Sequence, residues 1–593
     1  MGALVSARTK FRRVLFTRQS IIAVILVYLV VAFIFLNPSA ISWKLNLYET
    51  PPAIGPRRMT NNPPFPALSR RIPCIGPRGK LLSQSPDDDL EEVTLDIPHP
   101  TPWTGSYEAV GIPKTWTTIE GRYGPYGYGE QEQSYNRSKV DWNSTDWQML
   151  QKQCFTRNAR RFPQGETIDD SMMKHSRLRY RDLSKPPRAP QWYEFRASRR
   201  TAIVVRTWRG YEYKNEDLHY LRSLVVETAL KTGGEYQVVL LVDMKDYEID
   251  IFASEPNYLQ ALQDSGVPPE FESMAVLWDD RLLDTWYPLV AERRTMWQVF
   301  QPMQLFALHY PEFDHFWQLE LDMRFTGDAG TFFDKMGEFA RNEPRKQALE
   351  RSMFQHMQKR IGDYQNFSSA VNTANNGSAN LWGPLRIPDI DPIGPEPPVP
   401  HAANDTFRWG VGEDADVIVT AWCGDVRKTN DWVFRHWIGG FAAERDTPRY
   451  WCPPAIMRSS RALLLVAHEA QLLHGMYLPS EATLPSFALW HGLKLSFPQH
   501  PVFHEREDED DFREEWFRGG PEASIDGFGP SEMTMPNGMG MSFWWQSRWP
   551  RAIMDALEGR QLKDDVKYPY LLAKKDGKVY VPNMVLHPVK HNS

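Results

Sequence analysis

Apolar runs alternate with amphipathic segments in the middle of the chain. Thr201–Trp208 (TAIVVRTW) and Tyr236–Asp243 (YQVVLLVD) are almost continuously apolar and rich in β-branched residues, which is typical of strands buried on both faces. Between them, residues 215–234 carry apolar side chains at helical spacing, with Asn215 as a possible N-cap, and end at two glycines. The pattern predicts a strand, a helix and a second strand.

The same alternation continues towards residue 327. Residues 274–280 (MAVLWDD) predict a third strand, residues 293–309 predict a helix, and HFWQLELDMRFTG, which begins at His315, predicts a further buried strand. Such an order is typical of an α/β fold in which helices flank a mixed, mainly parallel sheet of Rossmann type. Ligands of these sheets bind at the carboxyl ends of the strands. Further along, RWGVGEDADVIVTAWCGDV predicts a loop that enters a helix.

The N-terminus carries a different hydrophobic pattern. Sixteen uninterrupted apolar residues, 21–36, follow a segment rich in arginine and lysine. We expect a cytoplasmic basic tail at residues 1–18 and a signal anchor that crosses the lipid bilayer at residues 19–37, with the remainder in the lumen. A cleaved signal peptide is the alternative. The short span favours a thin ER or Golgi membrane and a single-pass type II protein.

Composition divides the lumenal part into three regions. Residues 51–100 contain eleven prolines and little periodicity, so we expect residues 38–190 to form an irregular stem. The α/β pattern places a catalytic domain at residues 191–505. EREDEDDFREE then begins an acidic linker and an aromatic extension at residues 506–593.

Charge and cysteine content narrow the class of protein. The net charge of −6 shows no excess of basic residues, so we expect no nucleic-acid partner. The four cysteines all follow the apolar run, and they allow three disulfide connectivities in an oxidising compartment. Five N-glycosylation sequons also follow it, which agrees with a lumenal location: Asn136, Asn143, Asn366, Asn376 and Asn404.

Two carboxylates end the strand that begins at His315. The period of a strand places Glu320 and Asp322 on one face. Oxygen ligands suit hard divalent ions, so we expect Mn²⁺ or Mg²⁺ there, positioned to neutralise a diphosphate. Arg324 is close enough in sequence to donate to a phosphate. A capped or salt-bridged strand end is the alternative.

The ELDMR segment resembles the acid-x-Asp motif of GT-A glycosyltransferases. The resemblance implies that Asp322 binds the metal and that Glu320 contacts ribose or a metal-bound water. It also implies that Arg206 and Asp243, at the ends of the first two strands, approach a nucleotide donor. A structural role for both, as a surface ion pair and a turn cap, is the alternative.

A second segment, WGVGEDADVI, is similar to the WGWGGEDDD signature of the β-1,4-galactosyltransferase family. Val411 replaces a tryptophan there, and one glycine is missing. The similarity implies that Glu413 and Asp414 are acceptor-side acids, with Asp414 as the general base. It further implies that the acceptor lies against three residues of the same segment, Trp409, Gly410 and Gly412. An acid-rich helix N-terminus is the alternative.

GT-A enzymes often use a late histidine as a further metal ligand. ALWHGLKLSFPQHPVFH offers His491, His500 and His504, and His500 in its proline-bounded segment is our choice. Residues of about 190–510 also resemble an uncharacterised fungal family of type II membrane proteins, which brings no established activity.

The combined expectation is a metal-dependent glycosyltransferase of the secretory pathway. It would move a sugar from a nucleotide sugar to a glycan or glycoprotein acceptor. Two alternatives stay open at this point. One is a non-catalytic lumenal glycan-binding protein with the same fold, and the other is a glycan hydrolase that uses the paired carboxylates.

Overall fold

The structure, a computed structural model, describes residues 59, 68–163, 178–195, 197–294, 297–374, 382–427, 432–506, 540–544, 547–563 and 567–590. Within those ranges no helix has the length and apolar character that crossing a bilayer requires. The basic tail and the anchor predicted at residues 1–37 lie outside them.

A seven-stranded sheet, in the order β11-β7-β10-β5-β2-β3-β4, organises this part of the chain. The strands β5, β2, β3 and β4 run parallel to one another, whereas β10 is antiparallel to its neighbours β5 and β7. The strands are β1 Trp116–Thr117, β2 Thr201–Trp208, β3 Tyr236–Asp243, β4 Ala275–Trp278, β5 His315–Glu320, β6 Arg324–Phe325, β7 Val417–Val419, β8 Gly424–Asp425, β9 Tyr450–Trp451, β10 Ile456–Ser460, β11 Leu495–Ser496, β12 Ala573–Lys575, β13 Lys578–Pro582 and β14 Val585–Leu586.

Helices cover the sheet and bury its apolar strands. Four consecutive residues of β2, 202–205, have no exposed surface, as expected for a central strand covered on both faces. The α-helices are α1 Tyr107–Val110, α2 Ile119–Tyr123, α3 Trp147–Asn158, α4 Asn215–Leu224, α5 Glu255–Asp264, α6 Asp280–Trp286, α7 Gln301–His309, α8 Ala329–Asn342, α9 Ala348–Met353, α10 Gln358–Ile361, α11 Tyr364–Ala374, α12 Arg461–His474, α13 Ser480–His491 and α14 Trp549–Leu557.

The mainly parallel sheet expected from the apolar pattern is confirmed. The bounds of β2 and β3 match the predicted strands, and β4 and β5 lie within the predicted segments. The N-cap of the helix after β2 is Lys214 and not Asn215, which is the first residue of the helix. A π-helical turn at Val225–Leu230 extends this helix. Gly233 and Gly234 follow with φ of 70° and 81°. The prediction of a helix after WGVGEDAD is wrong, because residues 417–419 form β7.

Much of the region predicted as an irregular stem is packed against the sheet domain. Arg122 of α2 is buried and forms an ion pair with buried Glu227, which also accepts a 2.8 Å hydrogen bond from Tyr126. Leaving either charge unpaired in such surroundings would be costly, so these contacts tie residues 68–163 firmly to the rest. The many prolines there mark irregular backbone and not a solvated tether.

Residues at both ends of the described chain form one small sheet. β1 pairs with β13, and β13 pairs with β12, so the segment predicted as a C-terminal extension joins the domain. Two disulfides, Cys74–Cys154 and Cys423–Cys452, select one of the three possible connectivities. Both cysteines of the first lie in the region expected to be stem, where the disulfide links the proline-rich part to α3.

Candidate functional site

A cavity of about 920 Å³ opens at the carboxyl ends of β2, β3, β4 and β5. Each strand contributes its last residues to the cavity. All four strands run in the same direction, so their carboxyl ends lie side by side. Acidic, basic and aromatic side chains line the cavity together, among them Arg206, Trp208, Asp243, Lys245, Glu320 and Asp322. Its volume falls within the range of small-molecule and cofactor pockets.

Glu320, Asp322 and His587 lie close together at this cavity. Nε2 of His587 is 3.0 Å from Oε2 of Glu320 and 3.5 Å from Oδ1 of Asp322. One ligand atom from each residue falls within 4.8 Å of the other two. Oxygen and imidazole nitrogen atoms at such mutual distances are able to bind one divalent cation.

The backbone around the three residues explains how they meet. Glu320 ends β5 and Asp322 lies in the turn that leads to β6, which pairs with β14. His587 directly follows β14, and the backbone N–H of Val589 donates a 2.6 Å hydrogen bond to the carbonyl oxygen of Asp322. The pairing of β6 with β14 therefore carries the imidazole to the two carboxylates.

Mutual electrostatic interactions stabilise the charged forms of all three groups. Burial would raise the pKa of Glu320 and Asp322, but hydrogen bonds and charge from His587 outweigh it and lower both pKa values. Burial would lower the pKa of His587, but the hydrogen bonds and charges of Asp322 and Glu320 raise its pKa to about 9. Both carboxylates are consequently ionised at neutral pH, as a metal site requires.

Metal affinity at this site is expected to increase with pH. The imidazole of His587 is protonated at neutral pH in the metal-free protein and must lose that proton to become a ligand. Between about pH 6.5 and about pH 8, each added pH unit should therefore strengthen Mn²⁺ binding by about tenfold. Calorimetric titration of Mn²⁺ would measure this, and equal affinity at both pH values would contradict it.

The prediction that His500 binds the metal is wrong. His500 is buried, and its ring lies between Phe332 and Phe543, with ring centroids 5.8 Å and 4.7 Å away. Its Nδ1 lies 3.3 Å from the carbonyl oxygen of Pro501. Among the described residues, the cluster that pairs with Glu320 and Asp322 contains His587 instead.

Of the two arginines expected at the donor, the structure places one at the cavity. Nη2 of Arg206 donates a 2.8 Å hydrogen bond to Oε1 of Glu320, and its side chain is half-buried. Arg324 has no exposed surface. It forms a 2.6 Å ion pair with Asp217 and donates to the carbonyl oxygens of Leu321 and Met323. Arg324 is thus a buried structural residue, and its predicted contact with phosphate is wrong.

Asp243 lies at the cavity, at the end of β3. Its carboxylate accepts a 3.1 Å hydrogen bond from the backbone N–H of Lys245, so it also stabilises the turn that follows. Asp243 therefore both caps this turn and lines the cavity.

The WGVGEDAD segment lies near the amino-terminal end of β5, whereas the cavity lies at the carboxyl end of that strand. β5 and β7 both pair antiparallel with β10, and so run in the same direction. Val417 and Phe316 are both opposite Ser459, so residues before Val417 lie beside the start of β5. Glu320 is at the other end of that strand, about 15 Å away along it. The expectation that Asp414 and Glu413 share one site with Asp322 is wrong.

Residues in that segment have structural partners. Asp414 forms a 2.8 Å ion pair with Arg341, and Glu413 forms one of 2.8 Å with Arg345. Gly410 has a φ of +87°, and a Cβ atom there would lie 2.4 Å from Cγ of Arg345. The glycine is needed for backbone conformation and close packing. Gly412 likewise has a φ of +93°, and Trp409 is buried, so its ring offers little surface to an acceptor.

Four of the five predicted glycosylation sites are accessible. Asn136, Asn143, Asn366 and Asn404 are exposed on the surface, as glycosylation requires. Asn376 lies outside the described residues.

Sequence reasoning missed several cavity residues. His587 is followed by His591 in LHPVKH, a lone histidine pair with no cysteine or acidic residue beside it in the sequence. Trp208 is 40% exposed at the end of β2, with Nζ of Lys245 lying 4.5 Å from its ring centroid. Lys590, three residues after His587, also lines the cavity. Only Trp208 carried a usable signal, because it ends the apolar run Thr201–Trp208, and ligands bind at the carboxyl ends of such strands.

Comparison with known proteins gives a family and no described activity. No curated protein matches the chain. Residues 118–591 match the family described as protein of unknown function (DUF3405). This match spans most of the chain, including the sheet, the cavity, Glu320, Asp322 and His587, and the chain therefore belongs to the DUF3405 family.

Proposed function

We propose that this protein is a metal-dependent glycosyltransferase that moves a sugar from a nucleotide-sugar donor to a glycan or glycoprotein acceptor. The observation that carries the proposal is the cluster of Glu320, Asp322 and His587 at the carboxyl ends of parallel strands. A donor with a diphosphate needs charge neutralisation at that edge, and two ionised carboxylates with an imidazole hold the ion that provides it.

The residues of the cavity match the chemical parts of such a donor. Glu320, Asp322 and His587 would hold Mn²⁺ or Mg²⁺, which acts as a Lewis acid on a leaving diphosphate. Arg206, Lys245 and Lys590 add positive side chains to the same cavity, and these would bind phosphate oxygens. Trp208 offers an exposed apolar ring face to a planar or sugar ring.

The electrostatics favour transfer over glycan hydrolysis by the paired acids. A glycosidase needs one of its two carboxyl groups protonated to act as an acid. Both Glu320 and Asp322 have lowered pKa values, and His587 is positioned between them. Such a pair is better suited to binding a cation than to donating a proton.

A lumenal location is part of the same proposal. Two disulfides and four exposed sequons on the described chain support an oxidising, glycosylating compartment. We place the protein in the ER or Golgi membrane, anchored through residues 19–37, with the cavity in the lumen.

A thermal-shift scan tests the donor site directly. The purified protein is heated with UDP, GDP and their sugars, with and without Mn²⁺, beside the Asp322→Asn variant. A ligand at a hundred times its Kd should add about 2.7 kcal/mol to the free energy of unfolding. We expect a shift that requires both nucleotide and metal and that Asp322→Asn loses. A folded wild-type protein with no shift for any nucleotide would contradict the proposal.

Asp414→Asn is expected to leave turnover almost unchanged. Asp414 lies at the edge of the sheet remote from Asp322, and its ion pair with Arg341 is partly exposed, so its loss should cost about 0–1 kcal/mol of stability. The measurement is nucleotide release from the donor found in the scan. Removing a general base lowers the rate by about 100-fold or more, so a drop of that size in nucleotide release would show that Asp414 acts as the base.

A further inference from the structure

The cavity at the strand ends extends well beyond Glu320, Asp322 and His587, which we call the Glu320 cluster. In the order of the sheet, β2, β3 and β4 follow β5 on one side. Neighbouring strands lie about 4.8 Å apart, so the end of β4 is about 14 Å across the sheet from the end of β5. Asp246, which follows β3, and Asp280, which follows β4, are exposed and line the same cavity. We call this part of the cavity the far end.

The side chains between the Glu320 cluster and the far end lie on one face of the sheet. Arg206 pairs with Glu320 in the register of β2 and β5, and Trp208, two residues later, pairs with Asp243 of β3. Residues two apart in a strand point to the same face of a sheet. Trp208, which is 40% exposed, therefore lies along the path of a ligand that reaches from the Glu320 cluster to the far end.

Asp246 and Asp280 differ from other acids of the cavity in having no bonded partner. Glu320 accepts a hydrogen bond from Arg206, and Asp243 accepts one from the turn that follows it. In the part of the chain that the structure describes, no hydrogen bond or ion pair joins the carboxylate of Asp246 or of Asp280 to another group. Two acceptor groups of the cavity are thus open to a ligand.

The two carboxylates are also near enough to each other to interact. Burial raises the pKa of Asp280, and the negative charges of Asp284, Asp279 and Asp246 add to the rise. A ligand that donates hydrogen bonds, or a cation, would offset this repulsion. Among the described residues, only the Glu320 cluster brings three possible ligand groups within reach of one metal ion. Hydrogen-bond donors are therefore the better match for the far end.

From this arrangement we infer that the far end is a guanine subsite and that the donor is a guanosine diphosphate sugar. The inference rests on the proposed function. The N1–H and one N2–H of guanine are adjacent donors that match the two oxygens of a carboxylate, which we assign to Asp280. The other N2–H is directed to Asp246.

The other common nucleobases do not match two carboxylates. Uracil has one N–H between two carbonyl oxygens, and those oxygens would be repelled by the acids. Adenine and cytosine each place a ring nitrogen that accepts hydrogen bonds beside their amino group. A carboxylate has acceptors only, so it leaves these groups unpaired, and such unpaired groups reduce binding.

The layout of the cavity agrees with a nucleoside diphosphate in an extended conformation. With the diphosphate at the Glu320 cluster, the ribose and the base extend across β2 and β3 towards β4. They pass the exposed ring of Trp208, which offers apolar surface to them. The donor sugar is attached to the diphosphate, so its hydroxyl groups lie away from Asp280.

The test is a calorimetric titration of the full chain, in saturating Mn²⁺, with GDP, IDP, XDP and UDP. Hypoxanthine lacks the N2 amino group of guanine, and xanthine carries a carbonyl oxygen in its place. We expect the wild type to bind GDP about 10- to 100-fold more tightly than IDP, because IDP cannot make the N2–H hydrogen bonds to charged groups. UDP and XDP should bind no better than IDP.

Asp280→Asn should shift the preference from guanine to xanthine. The side-chain amide keeps an acceptor for N1–H and gains a donor for the carbonyl oxygen of xanthine. Affinity for GDP should fall and affinity for XDP should rise, each by about tenfold or more. A loss of structure would instead weaken the binding of both nucleotides.

Asp284→Asn is the matched control on the same helix. Asp284 carries the same charge, is 55% exposed in its side chain and pairs with Arg293 at 2.8 Å, and it is not a residue of the cavity lining. All four affinities should equal those of the wild type.

The outcomes separate this inference from the proposed function. Metal-dependent binding of UDP as tight as that of GDP, or tighter, would support the transferase and overturn the guanine subsite. Equal affinities for GDP and IDP, or an unchanged XDP affinity in Asp280→Asn, would also overturn it. A folded wild type that binds none of the nucleotides would remove the proposed function and the guanine subsite with it.

Discussion

Replacing Arg324 with alanine is expected to lower the free energy of unfolding by about 3–5 kcal/mol. Arg324 and Asp217 are both fully buried and are paired at 2.6 Å. Removing the guanidinium leaves the carboxylate of Asp217 buried without its counter-charge, which is far more costly than losing an exposed pair. Urea unfolding of the wild type and the variant measures the difference.

Two further variants show whether burial is the cause. Arg386→Ala removes an ion pair in which the two side chains are 60% and 45% exposed, and it should change stability by no more than about 1 kcal/mol. The double variant Arg324→Met with Asp217→Leu should recover much of the loss, because an apolar pair needs no counter-charge. A stable Arg324→Ala protein that has lost only nucleotide binding would show that Arg324 is a phosphate ligand after all.

His587→Ala is expected to abolish the stabilisation that metal and nucleotide together provide. In the wild type this stabilisation should be about 2.7 kcal/mol at a hundred times Kd. The variant loses one of three ligand groups, which is also the hydrogen-bond partner of Glu320 and lies 3.5 Å from Asp322. The measurement is the difference in unfolding temperature with and without Mn²⁺ and nucleotide, taken for each protein separately, so that a change in intrinsic stability does not enter.

His500→Leu is the matched control for that experiment. His500 is equally buried but packs between aromatic rings, so leucine should preserve the metal-dependent shift even if the protein becomes less stable. The opposite result, with the shift lost in His500→Leu and kept in His587→Ala, would restore the ligand expected from the sequence.

Local patterns in the sequence predicted the features that depend on local physics. The period and β-branched content of β2, β3 and β5 identified buried strands, and parallel strands bring their carboxyl ends to one edge. Two carboxylates at such an edge stood out because a buried strand rarely ends in acids without a partner. Glu320 and Asp322 followed from that reasoning alone.

What the sequence did not reveal depends on contacts between distant segments. His587 lies 267 residues from Glu320, and the sequence around it holds no acidic residue that marks it as a partner of the two carboxylates. Arg324 follows the acids directly, yet its side chain is paired with Asp217 inside the protein, which only the fold determines. The position of the WGVGEDAD segment could not be predicted either, because its sequence does not determine at which end of the strands it lies.

The prolines of residues 68–100 gave a misleading signal for a related reason. Proline content reports the absence of regular hydrogen bonding, and it does not report whether a segment is packed. Tyr126 and Trp147, further along the region expected to be stem, have no exposed surface, so aromatic burial would have been the better indicator of a folded segment.

The pairing of β6 with β14 has a consequence for how the protein matures. A contact that spans so many residues forms late, because the entropy of closing a long loop must be overcome first. Until β14 docks, Glu320 and Asp322 face each other without the imidazole, and their repulsion disfavours the compact cavity. A chain arrested before this docking would therefore lack a complete metal site even with its central sheet formed, and under the proposed function donor binding would report completed folding.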